Sequence, residues 1–276
     1  MSQSSSETGV DARFAFGANW KRFLATVDDD SIRVAENSLR DMLGVADLGH
    51  KSFLDIGCGA GLLGLAARRL GALVYCFDFD PESVNCTRQI ANHYRPADRE
   101  WRIESGSILD HEYVASLGTF DVVYAWGVLH HTGRMWEALG NAIDLVAPGG
   151  QLFVAIYNDQ GALSRYWLTV KRLYHSAPVS RGVVVAVHLP YLFLARYAVR
   201  ALTGRLDLER GMSLWHDMID WLGGMPFEVA RPERVTEFVE RRGFRIERLD
   251  RVKGNRSGCN QFVFRRLGAT ASPPPA

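Results

Sequence analysis

Residues 53–64, Phe-Leu-Asp-Ile-Gly-Cys-Gly-Ala-Gly-Leu-Leu-Gly, constrain the fold of this chain more than any other stretch. An apolar run enters a turn with glycine at 57, 59 and 61, then passes into the helical pattern Leu65-Ala-Ala-Arg-Arg-Leu70. Glycine suits such a turn because the backbone bends tightly and a ligand approaches with no Cβ in the way. The helix that follows presents unpaired N–H groups, which suit a carboxylate as well as a phosphate. Gly59, Gly61 and Gly64 also satisfy the dinucleotide pattern G-x-G-x-x-G, and Asp78 falls near the distance of a ribose-binding acid. The triplet alone therefore leaves a nicotinamide-dependent oxidoreductase open. Asp55 tips the balance. A carboxylate at the end of the first strand repels a pyrophosphate, yet it pairs with the cationic amino group of a methionine moiety.

Around this unit the chain alternates short apolar runs with helical patterns from Lys51 to Tyr157, the rhythm of βαβ units. Strands are expected at Ser52–Ile56, Leu73–Phe77, Trp101–Glu104, Asp121–Ala125 and Gln151–Ile156, and two closing strands at Phe244–Leu249 and Gln261–Arg265. Ser31 reads as the cap of an amphipathic helix carrying Ile32, Ala35, Leu39 and Met42. The organisation expected is a disordered start and helical cap over 1–50, a cofactor-binding core over 51–157, a helical insertion over 158–226, a closing helix and strands over 227–267, and a disordered tail over 268–276. A net charge of +1 gives no polyelectrolyte signature and no support for nucleic-acid binding. Cys58, Cys76, Cys86 and Cys259 form no C-x-x-C pair and no zinc-spaced cluster, so reduced thiols and no metal are expected. No secretory signal is visible, and cytoplasmic residence is the default expectation.

Five ordered segments resemble class I S-adenosylmethionine-dependent methyltransferases. Asp55–Gly61 resembles the glycine-rich signature, Tyr75–Ser83 the second motif, Gly106–Asp110 the third, Phe120–His131 the fourth, and Ala147–Leu152 the turn before the fifth strand. The resemblance implies S-adenosylmethionine as cofactor, held by Asp55, Gly57, Gly59 and Gly61. It puts Asp78 on the ribose hydroxyls, Phe79 against the adenine, and Ser107 and Ile108 at the adenine edge. Trp126 is a further cofactor candidate, as is Trp20 by closing over the ligand. More loosely, the chain is similar to ubiquinone- and menaquinone-pathway methyltransferases, whose Val-Leu-His-His segment is like Val128–His131.

On the acceptor side a general base is needed if an oxygen loses its proton, and histidine titrates near neutrality. Of His130 and His131, His131 is the favoured base, with a purely loop-fixing role for both as the alternative. Arg210–Trp221 gathers ionisable and aromatic residues that are costly to bury without purpose. In one reading it is a lid, with His216 and Asp217 catalytic and Arg210, Asp220 and Trp221 on the acceptor; in the other it is a solvated cap. Tyr157 and Asn158 line the same cleft. The apolar run Gly182–Ala195, flanked by Arg181 and Arg196, is too short to span a bilayer. It reads as a buried lid or dimer helix, an apolar acceptor pocket, or a peripheral membrane contact through 181–205.

The fold expected is a Rossmann-like, doubly wound seven-stranded sheet with its last strand antiparallel. The function expected is methylation of a small-molecule acceptor, foremost at a hydroxyl, with nitrogen or sulfur next. A nicotinamide-dependent oxidoreductase and a non-catalytic cofactor-binding protein are the alternatives.

Overall fold

The computed structural model describes residues 27–195, 197, 214–252 and 258–268; side chains are described except at 195, 214–217 and 220. Seven strands form one sheet in the order β3-β2-β1-β4-β5-β7-β6. They are β1 (Ser52–Ile56), β2 (Leu73–Asp78), β3 (Trp101–Ser105), β4 (Phe120–Trp126), β5 (Val146–Tyr157), β6 (Phe244–Asp250) and β7 (Cys259–Arg266). The first five pair in parallel, and β7 runs antiparallel to both β5 and β6. All seven expected strands are present. The motif at Ala147–Leu152 is not a turn before β5, however, but its irregular first part. Phe120 pairs with Val146 and Val122 with Gln151, and a Cβ on Gly150 would lie 2.8 Å from the Asp121 carbonyl oxygen. Residues 253–257, between β6 and β7, lie outside the described residues.

Strand alternation sorts the core onto two faces. Leu54, Ile56, Val123 and Ala125 point into one cluster, covered by α5 (Met135–Asp144) and α9 (Pro232–Glu240). Phe53, Val122, Tyr124 and Phe153 point into the other, covered by α1 (Asp29–Leu43) and α2 (Leu62–Arg69). Two helices complete the parallel part, α3 (Pro81–Tyr94) before β3 and α4 (His111–Ser116) before β4. Full burial of a side chain such as Leu54 or Phe153 contributes about 1.5–3 kcal/mol.

The cap of α1 differs from the sequence expectation. Asp28 is the N-cap, and Ser31 is the third helical residue that closes a capping box: Ser31 N donates to Asp28 Oδ1 at 2.8 Å and Asp28 N to Ser31 Oγ at 2.9 Å. The helical period read correctly because Ile32, Ala35, Leu39 and Met42 are all buried. The insertion builds a third, smaller core. It comprises α6 (Ala162–Ser176), α7 (Pro178–Leu189), a π-helical turn (Pro190–Ala195) and α8 (Leu214–Gly223). Trp167, Val170, Tyr174, Val184, Leu192, Met218 and Leu222 pack together there.

Candidate cofactor and acceptor site

Strand order reverses at β1, which has β2 on one side and β4 on the other, so a crevice opens beyond the carboxyl ends of these strands. Asp55 sits near the end of β1, paired with Cys76 and Tyr124. Its neighbour across the crevice floor is Asp78, the last residue of β2. Between them the chain runs through the glycine turn into α2, whose N-cap is Gly61 in the left-handed region at φ +81°. A Cβ there would also lie 2.9 Å from the Cα of Thr87, so backbone and neighbour both require glycine. Gly57, at φ +71°, has the Val128 side chain where its Cβ would be, at 2.5 Å. Thr87, whose Oγ1 donates to the Gly59 carbonyl at 3.1 Å, and Val128 thus hold the turn. Sequence reading passed over Thr87 and took Val128 only as part of the Val-Leu-His-His segment, because each becomes part of the turn only through tertiary contact.

Asp55 is 2 % exposed, and its Oδ2 has no hydrogen-bond partner. Burial, with the nearby Asp78 charge adding to it, pushes its carboxyl up to about 7 against a slight easing by the Gly64 amide. Asp78 is also raised, first by burial, although its Oδ2 accepts from Gly59 N at 3.0 Å and its Oδ1 from Asp80 N at 2.9 Å. Two carboxylates facing one crevice make a receptor for cationic and hydroxyl-bearing groups. An orphaned buried carboxylate oxygen beside a Cβ-free cradle fits the charged amino-acid end of S-adenosylmethionine, and Asp78 fits ribose hydroxyls. Phe79 is exposed beside it. Ser107 is half-buried and accepts from Leu109 N at 3.2 Å. Ile108 turns its side chain into the first core, leaving only its backbone near the crevice. Trp126, half-buried at the end of β4, donates from Nε1 to Gln261 Oε1 at 3.1 Å.

We expect Asp78→Ala to lower S-adenosylmethionine affinity at least about tenfold, since charge-assisted hydrogen bonds contribute about 1.5–3 kcal/mol each. Calorimetry on a variant with native circular dichroism checks this, and unchanged affinity would remove Asp78 from the ribose.

Past β4 the chain makes a 3₁₀ turn over Leu129–His131. His130 is fully buried, and its ring lies 3.9 Å from that of Tyr157. His131 is half-buried and hydrogen-bonded through Nδ1 to the Pro226 carbonyl at 2.7 Å, so Nδ1 carries the proton and Nε2 the lone pair. The expectation that these histidines titrate near neutrality does not hold. Burial drives His131 down to about 3, with the Pro226 carbonyl opposing and the Lys171 charge adding to the fall. Burial, then the charges of His131 and Lys171, lower His130 as well. Both rings are neutral at physiological pH.

Tyr157, Trp221 and Phe227 close around them: the Tyr157 ring is 5.3 Å from each of the other two. Lys171, fully buried on α6, donates to the Trp221 carbonyl and lies 4.8 Å above the Trp221 ring and 4.9 Å above that of Phe227. One turn on, His175 Nε2 meets the Gly223 carbonyl at 2.6 Å, so α6 caps the carboxyl end of α8 with two side chains. Lys171 was invisible to sequence reading because it sits in an ordinary amphipathic pattern. Asn158 is committed elsewhere: its Oδ1 accepts from Asn260 Nδ2 at 3.0 Å, lacing β5 to β7. Trp20 and Arg210 lie outside the described residues, as do the side chains of His216, Asp217 and Asp220 on α8. The glycine crevice and the aromatic cage thus occupy the same ends of β1, β4 and β5. A groove of about 520 Å³ is lined by Glu233, Glu237, Arg241 and Arg248 at the β6 edge, away from both.

Residues 54–152, from β1 into β5, match the family described as "Methyltransferase domain". The match covers about a third of the chain and shows likeness to a methyltransferase domain over those residues. Among curated proteins it is similar to a ubiquinone biosynthesis O-methyltransferase of Caulobacter vibrioides, 33% identical over 125 residues that cover 43% of this chain and 46% of that protein. The match thus spans less than half the length of such relatives. Among solved structures the fold is like that of a magnesium protoporphyrin IX methyltransferase from Synechocystis with bound SAH, at TM-score 0.54 and 16% identity, over 91% of this chain and 94% of that one. It is also like that of an N-methyltransferase from Bradyrhizobium japonicum in complex with S-adenosyl-L-homocysteine, at TM-score 0.51 and 16% identity, over 92% and 99% of the two chains. At these identities the structural likeness is one of fold. The chain holds its β7 antiparallel between β5 and β6, whereas the dinucleotide-binding fold has order 3-2-1-4-5-6 with parallel strands. Among its described residues no group of three His, Cys, Asp or Glu side chains is placed to hold a metal ion.

Proposed function

We propose that the chain is an S-adenosylmethionine-dependent methyltransferase acting at a hydroxyl of a small-molecule acceptor. The observation that carries this reading is the buried, unpartnered carboxylate oxygen of Asp55 beside the glycine cradle. It suits a cationic cofactor and disfavours a pyrophosphate. In this reading Asp55 takes the ammonium group, Gly57, Gly59 and Gly61 pass close to the methionine moiety, Asp78 takes the ribose, and Phe79 stacks on the adenine. When bound, the cofactor supplies an electrophilic methyl group on a sulfonium, and displacement in line relies chiefly on positioning. His131 Nε2 then accepts the acceptor hydroxyl's hydrogen bond, orients the oxygen lone pair and takes the hydroxyl proton as the methyl group is transferred, with Tyr157, Trp221 and Phe227 as apolar walls. The Lys171 charge that depresses the histidines also favours an oxygen acidic enough to ionise, as in a phenol. Arg210, His216, Asp217 and Asp220 belong to this proposal as residues reaching the acceptor from α8 and its approach, and Trp20 as a cover for the cofactor.

Calorimetry with S-adenosylmethionine and with NAD tests the cofactor; binding of NAD alone would overturn the reading. An acceptor library read by S-adenosylhomocysteine release tests the reaction. Once an acceptor is found, turnover is expected to persist in excess chelator, whereas loss reversed by magnesium or zinc would require a metal in the site. The surface contact through 181–205, with a second copy or with a membrane, also belongs to this proposal. The charge of the insertion favours the membrane.

A further inference from the structure

The helix α7 is apolar on both sides but buries only one. Val184 and His188 face the third core, while Val179, Val183, Val187 and Tyr191, spaced four apart, are 78, 57, 65 and 70% exposed, and Leu194 continues the stripe. At 1.5 Å per residue this is an apolar strip roughly 20 Å long. A helix hydrophobic all round is normally enclosed, so this face is built for contact. Alongside, α6 exposes Arg165 and Arg172 together with Tyr166 and Leu173, all on one face. Between Asp159 and Asp207 the sequence contains seven Lys and Arg residues and no Asp or Glu, although the whole chain nets only +1. Everything outside the insertion is therefore net acidic, and the apolar strip lies in the one strongly cationic segment.

We propose that the exposed face of α6 and α7 docks peripherally on an anionic lipid surface, the apolar strip entering the interface and the arginines meeting lipid phosphates. Charge selects this occupant over a second copy. A two-fold dimer would lay the patch on itself and bring like charges together, whereas an anionic leaflet attracts them. Among the described residues no helix is long and apolar enough to cross a membrane, so the contact is one of surface binding. The inference deepens the contact reading of 181–205 and is independent of methyl transfer, because its readout is binding to vesicles.

Co-sedimentation of the full chain with phosphatidylcholine vesicles, with and without phosphatidylglycerol, tests it. Binding is expected to be at least about tenfold tighter on the anionic vesicles and to weaken as salt is raised. Arg165→Glu with Arg172→Glu should weaken anionic binding by more than about tenfold, an arginine near the surface being worth about fivefold. Val183→Asp with Val187→Asp should abolish it, while S-adenosylmethionine affinity and melting temperature stay at the wild-type values. Equal binding to neutral and anionic vesicles, or none to either, would overturn the proposal. So would a dimer in sedimentation velocity that Val183→Asp dissociates, since a second copy would then own the face.

Discussion

S-adenosylmethionine affinity is expected to rise about tenfold per pH unit up to about pH 7 and then level off, because Asp55 must be ionised to receive the ammonium group and its carboxyl in the free protein sits at about 7. Below that pH, binding includes the work of removing a proton. The sign for stability is opposite. A carboxyl raised from 3.8 to about 7 by burial binds its proton more tightly folded than unfolded, so its contribution is fully present below pH 3.8 and is lost as pH rises to about 7. The loss is on the order of 4 kcal/mol at mildly alkaline pH, and a bound cation restores it. The thermal shift on adding S-adenosylmethionine should therefore grow steeply between about pH 5 and 8. Asp55→Asn should flatten both dependences, raise the melting temperature of the free protein at alkaline pH, and cost about two orders of magnitude or more in affinity, the scale for leaving a charge unpaired in a buried site. Calorimetry and melting curves across this range check all three. A wild-type protein whose affinity ignores pH, or an Asp55→Asn variant that binds as tightly as the parent, would show that the ammonium group lies elsewhere.

His131→Ala is expected to slow single-turnover methyl transfer by about two to four orders of magnitude while leaving cofactor affinity within about twofold. The lone pair on Nε2 exists because the Pro226 carbonyl holds the proton on Nδ1, and burial keeps the ring neutral down to about pH 3. At saturating S-adenosylmethionine, which removes the Asp55 effect, the wild-type rate should consequently show no histidine limb near 6.5. A limb at that position, or an unimpaired His131→Ala enzyme, would exclude His131 from the reaction. Running His216→Ala beside it separates the two acceptor-side candidates. A stable His216→Ala variant with a wild-type rate would remove α8 from the chemistry, and a fall confined to His216→Ala would move the base onto it.

How legible was this in the chain? The parallel core was plain because its signals are local. Apolar runs of strand length, Asp80 and Asp110 capping the helices after them, and glycine where φ must be positive each act within a few residues. The misreading at Ser31 was of the same local kind: Asp28 and Ser31 both belong to the capping box, and sequence alone did not say which one stood outside the helix. Cofactor chemistry was legible through Asp55 and Asp78, since a residue at the end of a parallel strand faces the crevice whatever surrounds it.

The sequence by itself determined the sheet, the glycine cradle and the two acids that face it. The tertiary structure alone decided the ionisation of those acids and of the histidines. A pKa is set by what is packed around a group, and that packing comes from distant parts of the chain. Pro226, far along the sequence, chooses the tautomer of His131, and Lys171 on the insertion sets its charge environment. The same holds for α7. Its run of valines leaves a buried lid or dimer helix, an acceptor pocket and a membrane contact all open, and only the packing of α6 and α8 shows that one side of it faces outward. Hydrophobic burial is non-directional, so a sequence records how much apolar surface must be covered but not which neighbour covers it.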